Sequence, residues 1–179
     1  MLDDFYLKAP VKNDSFIDTL EYMKSNPSVA SVTYLSEPGA KSSAIGLKGF
    51  YYRNQYALYK MTAHITLYRR DYLLSVLRKN ESAWEFEVNG TVRSWFKRGK
   101  FLCPKDKSAY IFPYDFGALV IRGSFVRPIK ERFEKYEGCI FTNGRPVLEE
   151  IEFKKPGNIF KKLCYLIKGI LSTFKGKAL

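Results

Sequence analysis

The chain has 179 residues, 46% of them hydrophobic and 16% aromatic, and carries a formal net charge of +12. That apolar content excludes a disordered chain and suffices for the core of one domain. The three cysteines, Cys103, Cys139 and Cys164, are odd in number and far apart, and without CxxC spacing they indicate neither a disulfide framework nor a zinc site.

No run of about 18 apolar residues occurs, so no membrane-spanning helix is predicted, and the acidic start Met1-Leu2-Asp3-Asp4 is unlike a secretory signal. A cytoplasmic, reducing setting is expected. Leu2-Asp3-Asp4-Phe5 sets two adjacent carboxylates between apolar residues, an oxygen-rich pair suited to Mg²⁺ or Mn²⁺ with substrate phosphates. Asn13-Asp14-Ser15 offers a helix N-cap, and Phe16, Ile17, Leu20, Tyr22 and Met23 keep a mainly helical period until Asn26-Pro27 ends it.

Residues 29–35 read as a strand, and 36–49, rich in Ser, Gly and Ala around Pro38-Gly39, as a loop long enough to cover a site. The aromatic and β-branched stretch 56–68 predicts a strand, followed by a helix through Tyr72, Leu73, Leu74, Val76 and Leu77 that ends near Asn80. Residues 101–103, 110–112, 118–121 and 139–142 predict short strands, with a charged helix over 128–136. Such alternation predicts an α/β fold with one mixed sheet and flanking helices. No GxGxxG or GxxxxGK phosphate loop is present.

The charge is unevenly spread. From Lys154 onward there are seven lysines and no acid, so seven of the twelve surplus charges lie in the last segment. After Pro156-Gly157, with Asn158 as N-cap, the apolar residues Ile159, Phe160, Leu163, Leu166, Ile167, Ile170, Leu171 and Phe174 recur at spacings of three and four, with the lysines mostly opposite. The chain therefore divides into an α/β body, 1–153, and a basic amphipathic helix, 154–179. Over 158–175 that helix suits an anionic membrane surface, where each lysine adds about 1 kcal/mol, or alternatively packs on the protein's own core.

The stretch Tyr59-Lys60-Met61-Thr62-Ala63-His64-Ile65-Thr66-Leu67-Tyr68-Arg69-Arg70-Asp71-Tyr72-Leu73-Leu74, continuing through Ser82-Ala83-Trp84-Glu85-Phe86-Glu87 to Gly90-Thr91-Val92-Arg93-Ser94, resembles bacterial glycosyltransferase-like proteins of surface-polysaccharide gene clusters. Those proteins pair an LDDF-type motif with a downstream WEFE-type motif. The resemblance runs from Leu2 to about Arg145. It implies a nucleotide-diphosphosugar transferase of the A-type fold, of which this chain corresponds to the acceptor-side portion. The nucleotide-binding half is expected to be missing, through an internal start or as a natural fragment.

In that chemistry a cation bridges the donor diphosphate and neutralises the leaving group, and Asp4, then Asp3, is the candidate ligand. An acceptor hydroxyl needs a carboxylate as general base, supplied by Glu85 or Glu87. On a helix only one of the two faces the reaction. Glu85 is preferred because the flat face of Trp84 would wall a sugar site and desolvate the carboxylate, leaving Glu87 to pair with a cation such as Arg93. Arg93 alternatively grips the donor phosphate with its planar fork.

His64, the one histidine, reads as a packed residue. Tyr51-Tyr52-Arg53 and Trp95-Phe96-Lys97-Arg98 interleave rings and cations, which stack sugars or bases or simply pack. The expected partners are a nucleotide sugar, a lipid-linked or saccharide acceptor and the anionic inner face of the cell membrane, with no nucleic acid. The other reading is a non-enzymatic basic module for anionic membrane or nucleic acid.

Overall fold

The computed structural model describes residues 7, 9–35, 40–44, 46–114, 120–121, 123–138, 143–149, 167 and 171. Asp3 and Asp4, the strand predicted over 139–142 and nearly all of the 158–175 helix lie outside the described residues. The chain is mixed α/β and divides into two compact units, one of 12–111 with 157–179 and one of 1–11 with 112–156.

The larger unit begins with α1, Asn13–Ser25. Its predicted N-cap residues lie inside the first turn, and Lys12 takes the cap position without a capping side-chain bond. Thr19 and Met23 face inward, and the Thr19 hydroxyl meets the Tyr34 hydroxyl at 2.6 Å. β1, Val29–Thr33, is buried at all five positions and is a central strand. Around it runs a five-stranded mixed sheet in the order β2-β3-β5-β1-β4, with β2 at Ala40–Ser43, β3 at Phe50–Arg53, β4 at Thr66–Tyr68 and β5 at Lys100–Pro104. β1 and β5 are parallel and every other pair in this sheet is antiparallel.

Two segments differ from expectation. The predicted loop 36–49 contains β2, which pairs with β3 as a hairpin from Ala40↔Arg53 to Ser43↔Tyr51. Its small polar composition hides the strand, because the partner β3 supplies the aromatic side chains. The predicted strand 56–68 is irregular until β4, since side chains from elsewhere claim its backbone groups, as described below. Residues 110–112 form no strand either. They follow a 3₁₀ turn, Lys107–Ala109, that Asp106 caps by accepting from Ser108 N at 2.9 Å.

Arg69 ties the sheet to α1. Its Nε donates to Val29 O at 3.0 Å, and one Nη donates to Met23 O at 2.6 Å. Helix α2, Arg70–Val76, then lays Tyr72, Leu73 and Val76 against Ala30, Met61, Phe86 and Phe101. Each large side chain fully buried in such a cluster contributes roughly 1.5–3 kcal/mol. Gly99 lets this packing close: a Cβ there would lie 2.7 Å from Tyr72 Cε2 and 2.9 Å from the Ala30 Cβ. Beyond α2 the chain turns into a continuous helical run, α3 (Ala83–Glu85), a π-helical turn (Phe86–Gly90) and α4 (Thr91–Trp95).

In the smaller unit, β6 (Val120–Ile121), β7 (Ser124–Val126) and β8 (Val147–Leu148) form a three-stranded sheet in which β7 pairs antiparallel with β6 and parallel with β8. The charged helix appears as α5, Arg127–Glu137, with proline in its first turn and Gly138 ending it at φ 88°. Phe125, Val126 and Ile129 form a separate small core.

Candidate functional site

The acidic WEFE segment sits where the helical run begins. Ser82-Ala83-Trp84-Glu85 forms a capping box: Ser82 Oγ accepts from the Glu85 backbone N at 3.3 Å, and Glu85 Oε2 accepts from Ser82 N at 2.9 Å and Ser82 Oγ at 2.8 Å. This satisfies backbone donors that a helix start otherwise leaves open. Glu85 is exposed, and Trp84 is 76% exposed, so the indole does not desolvate the carboxylate as expected. The four positions of the box match the S-x-x-E signature, a signal present in the sequence that points to the cap.

Glu87 lies on the π-helical turn and is only 8% exposed. A π turn holds one residue more than an α turn, which rotates the following face and often accompanies functional sites. Here Gly90 admits the turn by sitting against the Phe86 ring, where a Cβ would lie 3.1 Å away. Glu87 Oε1 accepts from Ala63 N at 2.7 Å and from Thr62 Oγ1 at 3.1 Å. Oε2 takes no hydrogen bond among the described residues.

The loop that Glu87 holds is anchored twice more. Thr91 Oγ1 accepts from Met61 N at 2.9 Å, and the Tyr68 hydroxyl accepts from Thr62 N at 2.8 Å while donating to Thr62 O at 2.9 Å. Burial holds the Tyr68 phenol well above its ordinary range, so it stays a neutral donor. These three side chains explain why 61–65 is irregular rather than a strand: its backbone groups are spent on α4, the π turn and β4. His64 belongs to this loop, where its N–H donates to Thr62 Oγ1 at 3.2 Å.

Arg93 does not pair with Glu87. Its guanidinium, 1% exposed, closes on Glu81, Nη1 to Oε1 at 2.9 Å and Nη2 to Oε2 at 2.5 Å, while Nε donates to Val76 O at 2.8 Å. A fork spent in this way and buried beneath α4 does not face an external phosphate, which corrects the expectation of a phosphate grip. Asn89 Nδ2 adds a bond to Glu81 Oε1 at 3.1 Å. The structure thus places Glu87 and Arg93 on one helical run, with Glu81 in the turn just before it, and gives the two acids different partners. Among the described residues no group of three or more His, Cys, Asp or Glu side chains gathers to hold a metal ion.

A second network lies along 53–60. The Arg53 Nη groups donate to the carbonyls of Leu58, Tyr59 and Lys60 at 3.0–3.3 Å. Fully buried Lys60 donates from Nζ to Gln55 O at 2.7 Å and to Ser94 O at 3.3 Å, with the Phe101 ring centroid 4.5 Å away. Burial, reinforced by the Arg53 charge, pushes the Lys60 ammonium down to about 8 from its ordinary 10.5.

Between about pH 8 and 10.5 the unfolded chain therefore keeps a proton that folded Lys60 has released. Lys60 favours the fold increasingly as pH rises through that window, and this contribution is lost as pH falls through the folded value. Replacing Lys60 by Met removes the effect. The urea-unfolding stability of the unaltered chain minus that of Lys60→Met should climb between roughly pH 7.5 and pH 9.5, whereas a flat difference contradicts the depressed ammonium.

Comparison with known protein families, with curated proteins and with solved structures finds no match to this chain.

Proposed function

We propose that the chain is the acceptor-side portion of a bacterial glycosyltransferase-like protein, moving a sugar from a nucleotide-sugar donor to a lipid-linked or saccharide acceptor. The pairing of the LDDF-type and WEFE-type motifs on a mixed α/β chain supports this reading. The observation that carries it is the state of Glu87: one carboxylate oxygen is fixed by two donors, and the other takes no hydrogen bond among the described residues.

A base must be held in place and keep a lone pair for the acceptor hydroxyl proton. Glu87 meets both needs, and so replaces Glu85 as the proposed base. Glu85 then starts the helix that aims it. Asp4 and Asp3 would hold Mg²⁺ or Mn²⁺, which supplies neutralisation of the leaving diphosphate.

Glutamine at 87 keeps a carbonyl for Ala63 N and Thr62 Oγ1 but loses the basic oxygen. With the chain joined to a nucleotide-binding half and assayed for nucleotide release with a panel of nucleotide sugars and Mn²⁺, Glu87→Gln should lower turnover by about 10²-fold or more with the urea midpoint unmoved. Glu85→Gln, which retains the capping box, should turn over nearly as the unaltered chain does. Equal turnover by Glu87→Gln, or no nucleotide release from any donor by the unaltered chain joined to a nucleotide-binding half, removes this reading.

The basic tail supports placement of this activity at an anionic membrane surface. Two of its positions are described, Ile167 and Leu171; both are helical, one turn apart on one face, and 48% and 50% exposed. At these positions about half of each apolar side chain stays open to solvent. No helix among the described residues is long and apolar enough to cross a membrane. Removal of residues 158–179 should abolish co-sedimentation with phosphatidylglycerol vesicles, and retained binding would argue against the tail as anchor.

A further inference from the structure

The segments 54–60 and 94–98 are laced together by side chains that donate to backbone carbonyls. Gln55 Nε2 reaches the carbonyls of Ser94, Trp95 and Lys97 at 3.3, 2.9 and 3.3 Å. Trp95 Nε1 donates to Ala57 O at 3.3 Å, and Lys60 bridges Gln55 O and Ser94 O. Tyr59 adopts φ 51°, a left-handed conformation costly for a bulky residue, and its carbonyl is held by Arg53.

This stitching presents large rings to solvent: Tyr56 is 68% exposed and Phe96 70%. Burying a lysine to hold such a surface costs desolvation and yields no core. A rigid shelf of exposed aromatics is instead what binding requires, because little ordering cost remains to be met when a ligand arrives.

Beside the rings lies a pocket of about 370 Å³, near the lower end of the roughly 300–1,000 Å³ typical of small-molecule sites. Trp95 and Phe96 form its apolar wall, and Lys97, Arg98 and Lys100 contribute three cations; no carboxylate lines it among the described residues. The larger cavity of the same unit, about 660 Å³ along α1, is charge-balanced, with Lys12 and Lys48 against Asp18 and Glu21, and selects neither sign.

The Tyr56 and Trp95 rings meet at 75° with centroids 6.2 Å apart. That contact holds the Trp95 ring in place at the pocket wall, where a pyranose can stack its C–H face on Trp95 or Phe96 and leave its substituents free to reach the cations.

We propose that this pocket binds a saccharide bearing an anionic group, with Trp95 and Phe96 as the stacking surface and Lys97 and Arg98 as counter-charges. The choice of a saccharide rests on the transferase reading above. The site itself uses none of the residues assigned to transfer.

Trp84 and Trp95 are the two tryptophans of the chain, so Trp84→Phe leaves Trp95 fluorescence as a local reporter. Glucose 1-phosphate or glucuronic acid should quench it, the first reporting a phosphate and the second a carboxylate. Glucose and inorganic phosphate should each bind at least about 10-fold more weakly than the better anionic sugar, since each supplies one half of the recognition. Adding Lys97→Ala and Arg98→Ala should weaken that sugar at least about 10-fold with the circular dichroism unchanged.

No response to either anionic sugar, an equal response to glucose, or indifference to the double substitution overturns the proposal. A response to phosphatidylglycerol vesicles alone replaces it with a membrane contact. Because binding is read without a donor, anionic-sugar binding without nucleotide release would leave the pocket and dismiss transfer, and the reverse would dismiss the pocket.

Discussion

The buried ion pair between Arg93 and Glu81 is the constraint on which the larger unit depends. A guanidinium 1% exposed must have all its donors engaged or incur several kcal/mol of desolvation. Arg93 donates to both Glu81 oxygens and to the last carbonyl of α2, at Val76. A bidentate fork accepts few orientations, so the turn between α2 and α3 is fixed relative to α4. That places Ser82 to begin the next helix and sets the direction in which the run 83–95 leaves the core. Such a pair adds little net stability compared with apolar packing, but removing one partner strands a buried charge.

With Glu81 assigned to Arg93 and Glu85 to the cap, the three acids of the segment have separate duties. Glu87 faces inward because residues two apart on a helix point away from each other, and there it accepts from the Ala63 backbone N–H and the Thr62 hydroxyl. The loop so held continues into Lys60, whose ammonium crosses to Gln55 O and Ser94 O. One chain of contacts therefore links the acidic motif to the aromatic shelf. In the proposed reading, the base and the saccharide pocket are positioned by the same helical run.

Periodicity revealed the elements whose burial is local. α1, ended by Asn26-Pro27, and β1, β5 and the charged helix α5 all overlap the segments where they were expected. The capping box has its signature in the sequence, Ser82 and Glu85 three residues apart, but Glu85 was expected to be the base instead. Three features were not legible. β2 has the composition of a loop and becomes a strand only by pairing with Tyr51 and Arg53. The aromatic, β-branched character of 56–65 suggested a strand, but tertiary donors and acceptors at Arg53, Tyr68, Glu87 and Thr91 outcompete a ladder there. The partner of Arg93 was missed because Glu81 lies twelve residues away, ahead of the start of the helical run, beyond the reach of any i,i+4 argument. Desolvation of Glu85 by Trp84 failed for a related reason: the cap turns both side chains outward.

The central claim is that Arg93 belongs to Glu81 and leaves Glu87 to the loop. A pair of double-mutant cycles in urea unfolding separates these directly, one combining Arg93→Met with Glu81→Gln and the other Arg93→Met with Glu87→Gln. The account predicts a coupling of about 1–3 kcal/mol in the first cycle and within about 0.5 kcal/mol of zero in the second. A coupling to Glu87 as large as that to Glu81 would contradict it.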